Sequence, residues 1–213
     1  MALTTTTKSI ANEALSLIGG KLIVTFDEDT VSGRLVSAFY TQTLEDILAE
    51  HPWTFAQKRA ELTDDDTDPT FTDDLMTVTY SRPADMIKLN FVNIRNARIK
   101  LEGDKILSDT EDLYALYTYN NTNPTTYFSK FTSAFVMLLA AKMAYGMTDG
   151  RTLSEQLLKT YLSTSLPTAI SADSQQGTPQ VPIQNNWLGA RTSGGGDLVG
   201  QTSWETWYPV NWY

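Results

Sequence analysis

The run from Phe131 to Met147 constrains this chain more than any other. Phe131, Ala134, Phe135, Leu138, Leu139, Ala141 and Met143 leave a helix with almost no polar face. Such a helix must be covered on several sides, so the fold is expected to be built around it. The run is short for a membrane span and carries Lys142, which points to a buried helix. Asn123-Pro124 is read as its opening, a cap followed by proline at the first helical position.

Three other segments have the amphipathic period needed to cover it. The first runs from about Thr7 to Ile18, capped by Thr5, Thr6 or Thr7, with Ile10, Ala14, Leu17 and Ile18 on one face. Gly19-Gly20 stops it, and an extended piece, Leu22 to Phe26, leads into the acidic turn Asp27-Glu28-Asp29. The second fits Thr30 to about Glu50, with Asp29 or Thr30 as cap and Val31, Leu35, Phe39, Ile47 and Leu48 along its apolar face. Pro52 ends it, and at 1.5 Å per residue it would be about 30 Å long. The last opens on a capping box, Thr152-Leu153-Ser154-Glu155, and carries Leu153, Leu157, Tyr161 and Leu162 at helical spacing. Pro167 is expected to kink or break it.

Between these helices the period changes. Arg98 to Leu107 alternates about Gly103-Asp104, a two-residue turn, and predicts a hairpin. Leu113 to Tyr119 is a further strand, with Thr77–Tyr80 and Lys88–Val92 as weaker ones. The expected class is therefore α+β: a bundle of about four helices from residues 1–53 and 124–173, and a small antiparallel sheet insert from 54–123. A long extended C-terminal arm, 174–213, completes it.

Composition narrows the chemistry. In 213 residues there is no cysteine, which excludes disulfides, thiolate zinc sites and a cysteine nucleophile, and suits a reducing cytoplasm. The threonine-rich start lacks a basic-then-apolar leader pattern, so secretion is not expected. A net charge of -9 argues against a protein that grips nucleic acid through its phosphates, though not against one that lets DNA pass.

The arm is rich in glycine, glutamine, serine, threonine and proline, yet it holds four of the five tryptophans: Trp187, Trp204, Trp207 and Trp212. Tyr208 and Tyr213 stand beside them. Disordered tails are poor in aromatics, whereas tryptophan and tyrosine anchor protein contacts, so these six residues are assigned to docking on a partner.

The stretch Ala49-Glu50-His51-Pro52-Trp53-Thr54-Phe55-Ala56-Gln57-Lys58-Arg59-Ala60-Glu61-Leu62 resembles the helix-end signature of the tail tubular protein A type of head-to-tail adaptor in short-tailed bacteriophages. Ala11 to Gly19 is similar to that family's opening helix. Tyr80-Ser81-Arg82-Pro83-Ala84-Asp85, the strand Leu113 to Tyr119 and the alanine-rich helix after Pro124 are similar to its later segments. The resemblance spans roughly Ser9 to Ala172 in order. It implies a structural virion protein of the neck: a dodecameric ring below the portal protein, meeting the tail nozzle or tail tube protein and assembled in the host cytoplasm. Viral DNA would pass through it unbound, and no membrane is involved. It also implies a C-terminal extension that engages the portal or a neighbouring subunit.

No catalytic, cofactor or metal residue is assigned. His51 is the lone histidine, so a serine-type triad would have at most one member in place. It is read as a helix-terminal residue bonding backbone carbonyls, with Pro52, and with Trp53 and Phe55 wedging the sheet against the bundle. Glu61 to Asp74 holds seven acids without the EF-hand spacing, and is expected to be a solvated loop joining two strands. Gly194-Gly195-Gly196 lacks the lysine of a phosphate loop and reads as a hinge. Lys58, Arg59, Arg82, Arg95 and Arg98 are taken as scattered surface charge. Alternative readings are another neck or baseplate ring protein, a carbohydrate-binding tail module using the tryptophans, and, last, a hydrolase using the acidic loop.

Overall fold

A computed structural model describes residues 6–65, 76–94, 97–148 and 151–176, together with the backbone of Tyr208–Pro209. The protein is mixed: four helices and two small antiparallel sheets.

Helix α1 spans Thr7–Leu17. Thr6 caps it, accepting from the Ser9 amide while Ser9 Oγ accepts from the Thr6 amide at 2.9 Å, so two orphan donors are satisfied reciprocally. Helix α2, Val31–Glu50, is capped by Thr30. The Leu22–Phe26 segment between them is not a strand. Asn12 holds it, its side chain accepting from the Ile23 amide at 2.8 Å and donating to the Ile23 carbonyl at 3.0 Å. Gly33 is needed here, because a Cβ at that position would lie 2.5 Å from the Glu28 carbonyl oxygen. The buried face of α2 is Val36, Tyr40, Leu44, Ile47 and Leu48, rotated from the expected one, and Val31 is exposed.

Helix α3, Ser129–Thr148, is the core helix, in contact with α1, α2, α4 and α5. Its length and apolarity would also suit a membrane crossing, but its buried residues are spent on neighbouring helices. Asn123-Pro124 opens a short 3₁₀ turn, Pro124–Thr126, rather than α3 itself, because the Asn123 side chain accepts from Thr125 and closes the turn locally.

The last helix is continuous in three stretches: α4 (Arg151–Thr160), a π-helical turn (Tyr161–Ser165) and α5 (Leu166–Ser174). Arg151 is already helical, so Thr152 does not cap it, and Ser154 instead donates to the Ala141 carbonyl of α3 at 2.8 Å. Pro167 does not break the helix. The π turn just before it, in which the Leu166 amide reaches the Tyr161 carbonyl, absorbs the proline at the first turn of α5, where a missing N–H is tolerated.

The expected single sheet is two. β1 (Gln57–Glu61), β6 (Tyr114–Tyr119), β3 (Met86–Val92) and β7 (Tyr208–Pro209) form one in the order β1-β6-β3-β7; β2 (Val78–Ser81), β5 (Lys105–Ser108) and β4 (Ile99–Glu102) form the other, in the order β2-β5-β4. The β4–β5 hairpin turns at Gly103-Asp104, with Gly103 at φ 61° in the position where a glycine is favoured. The central strand β6 is buried on both faces, and Leu62, Tyr80, Leu89, Ile106, Leu113 and Tyr117 join both sheets in one small core.

Candidate functional site

Ala49 to Leu62 runs from the end of α2 into β1 and so forms the joint between helices and sheets. Trp53 follows the end of α2 and is fully buried; its ring N–H donates to the Ile47 carbonyl at 2.7 Å, which ties it back to the helix. Its ring lies 5.0 Å from Phe131, which in turn lies 4.6 Å from Phe55 and 5.0 Å from Tyr127. Phe131 stacks at a tilt on Phe135, and edge-to-face contacts carry the chain on through Tyr40 to Phe26 in the α1–α2 loop. Such contacts add to burial because ring edges are positive and faces negative. Trp53 and Phe55 thus pack against Phe131 of α3.

His51 does something else than expected. Its Nε2 lies 3.3 Å from Asp173 at the end of α5, not against helix-end carbonyls. The physical reason is that His51 leaves the helix at φ -140°, ψ 146°, which swings the ring off the helix axis toward α5. Asp173 has a side chain 2 % exposed and accepts three further bonds from Thr54, from its amide at 3.2 Å to each carboxylate oxygen and from its hydroxyl at 2.7 Å. The node fastens the last helix to the start of the sheet. Burial holds the His51 imidazole below its ordinary 6.5 even against the attraction of Asp173, so the neutral ring is the folded form. The histidine, carboxylate and hydroxyl are not arranged as a serine-type triad, because Thr54 donates to the carboxylate rather than to the ring.

Asp173 escaped the sequence reading. Its signal was an acid in the last turn of a helix, where the dipole disfavours negative charge, amid small and apolar neighbours. An acid in such a place needs a partner.

The motif Tyr80 to Asp85 forms a second staple. Asp85 accepts from Lys58 at 2.8 Å and from the Tyr117 hydroxyl at 3.0 Å, joining β1, β6 and the turn before β3. The Lys58 hydrogen bond holds the Asp85 carboxyl below the usual carboxylate range. Arg82 donates to the Met86 carbonyl at 2.6 Å, and Tyr80 donates to the Thr110 carbonyl at 2.8 Å. Arg82 is thus tied to the backbone, and Lys58, with its side chain 52 % exposed, is a surface charge paired with Asp85. Lys88 adds a bond from the sheet to the Ala49 carbonyl of α2 at 3.2 Å.

Of the acidic segment, Glu61, Asp64 and Asp65 are described, lining the side of a surface recess with Asp112 or pairing, as Asp65 does with Lys105 at 3.2 Å. Asp66, Asp68, Asp73 and Asp74 lie outside the described residues. Among the described residues no three acidic or histidine side chains form a group that would hold a metal ion.

Trp187, Trp204, Trp207, Trp212 and Tyr213 also lie outside the described residues. Tyr208 is described in its backbone alone, as part of β7, which pairs antiparallel with β3 through Val92↔Tyr208 and Phe91↔Pro209. Leu22 and Val24 in the α1–α2 loop and Val31 at the start of α2 stand 61 %, 70 % and 60 % exposed.

No protein-family model matches this chain, and no curated protein sequence matches it.

Proposed function

We propose that this protein is a structural subunit of a bacteriophage neck, a head-to-tail adaptor that closes into a ring, dodecameric by its resemblance, between the portal and the tail nozzle or tube. Its work in the virion is mechanical: it seals the vertex and keeps a channel through which DNA passes without being gripped. The aromatic arm, residues 174–213, is the part that fastens the ring to the portal.

One observation carries the reading. Separate stretches of the resemblance, Ala49 to Leu62 and Tyr80 to Asp85 with the strand Leu113 to Tyr119, are bonded to one another about the four-stranded sheet, where Asp85 accepts from both Lys58 and Tyr117, while Trp53 of the first stretch is buried in the helical core. Residues kept together for a frame, rather than for a reaction, suit a ring subunit. The exposed apolar group at Leu22, Val24 and Val31 suits a face that meets a neighbour.

The test is binding to the portal protein of the same phage. The full chain should co-sediment with portal rings and appear beneath them in negative-stain images, while a chain ending at Gln176 should lose at least tenfold in affinity. Equal binding by both chains would sink the arm as the docking element. A featureless monomer, with and without portal, would sink the ring.

A further inference from the structure

In the four-stranded sheet β7 is the odd member. β1, β3 and β6 fall within residues 57–119, whereas β7 reaches β3 only after residues 177–207, which the end of α5 precedes. At about 3.3 Å per residue that connection has a contour on the order of 100 Å. A strand held by so long a tether is specified by its register on the edge, not by nearness in the chain.

We propose that the outer edge of β3 is a strand-acceptor site, and that in the assembled protein the strand it receives is Tyr208–Pro209 of an adjacent copy of this chain. The inference rests on the reading of the chain as a ring subunit. Each copy offers the same edge and the same strand, so exchange replaces every contact with an identical one, and proximity in the assembly decides which copy supplies it.

The register itself favours a closed exchange. Val92 is buried in the sheet core, so the pairing sits over packed side chains rather than at a frayed end. β7 is only two residues long and one of them is Pro209, which has no N–H, so it is a short edge strand of the kind that discourages open pairing.

The absence of native cysteine gives a clean test by disulfide trapping in the full-length protein assembled with portal. A copy carrying Val92→Cys is mixed with a copy carrying Tyr208→Cys and oxidised with diamide. A cross-linked dimer on a non-reducing gel, at least tenfold above that from Tyr208→Cys mixed with Lys130→Cys, is expected. The double variant should give linked copies in series. Phe91→Cys with Pro209→Cys repeats the test at the adjacent pair, which guards against lost packing at Val92. Intrachain cross-links alone, or none from either pair, overturn the exchange. The mass of the unmodified protein with portal, read by light scattering, is separate: a monomer there sinks the ring reading, while a ring whose cross-links are all intrachain sinks only the exchange.

Discussion

The helical core and the sheet core are closed in different ways. The helical core is sealed by large rings in direct succession, Trp53, Phe131, Phe135 and Tyr40, and locked at its rim by the Asp173 node. The sheet core has no buried tryptophan or phenylalanine among its described members, and one of its edges is covered by two residues from far along the chain. Rigid closure serves a part whose shape must hold, and a lightly covered edge serves a part that must meet something else. Each prediction that follows sets one region against the other.

The largest effect should come from Trp53→Ala. Removing a fully buried ring and its bond to Ile47 should cost about 3–5 kcal/mol in denaturant unfolding. Because the sheet is bonded to α2 through Lys88 and hung on Trp53, the helices, followed by far-ultraviolet circular dichroism, and the sheet tyrosines, followed by fluorescence, should melt together. Two separated transitions would mean that the cores are independent.

Next is Asp173→Ala, which strips the acceptor from the Thr54 amide and hydroxyl and from His51. A loss of about 2–3 kcal/mol is expected, since buried donors left unpaired carry their desolvation cost. Asp173→Asn keeps one acceptor oxygen and should lose less. Equal losses for the two would show that the carboxylate's bonds are not what holds α5 to the joint.

How much of this was legible beforehand depends on the range of the interaction. The helices about Ile10, Ile47 and Leu139 and the Gly103 hairpin were readable, because period and turn chemistry are local. Pro167 misled because a π turn, invisible in the pattern, accommodates it. The division into two sheets was missed because alternation marks strands but not their partners, which backbone pairing fixes over long range. His51 was misassigned for the same kind of reason: its partner is 122 positions away, from His51 to Asp173. Long-range polar pairs are the least legible part of a single sequence.

A smaller loss, about 1–2 kcal/mol, is expected for Gly33→Ala, where the new Cβ meets the Glu28 carbonyl and must shift the loop bearing Leu22 and Val24. That loop lies on the helical side, with Phe26 against Tyr40, so the amides of the β3–β6 ladder should keep their hydrogen-exchange protection. Lost protection there would link the loop to the sheet.

The pH response should again separate the regions. His51 is held below 6.5 by burial, so its contribution is fully present above 6.5 and is lost as pH falls through the folded value. Asp85, held below 3.8 chiefly by Lys58, gives a contribution present above 3.8 and lost only as pH falls through its own lower value. Stability measured from pH 7 to 5 should therefore decline in the native chain and flatten in His51→Gln, while Asp85→Asn should leave that slope in place. An unchanged slope in His51→Gln would count against a buried neutral ring.

The smallest effect on stability should come from removing the arm. A chain ending at Gln176 keeps both cores and the Asp173 node and, among the described residues, loses only the two-residue ladder on β3, so its unfolding free energy should stay within about 0.5 kcal/mol of the full chain. Association is where the loss should appear, because truncation bares the β3 edge and removes the tryptophans together. If the truncated chain unfolded several kcal/mol more easily, the arm would be part of the fold's closure, and the contrast between a sealed helical core and an exchangeable sheet edge would have to be abandoned.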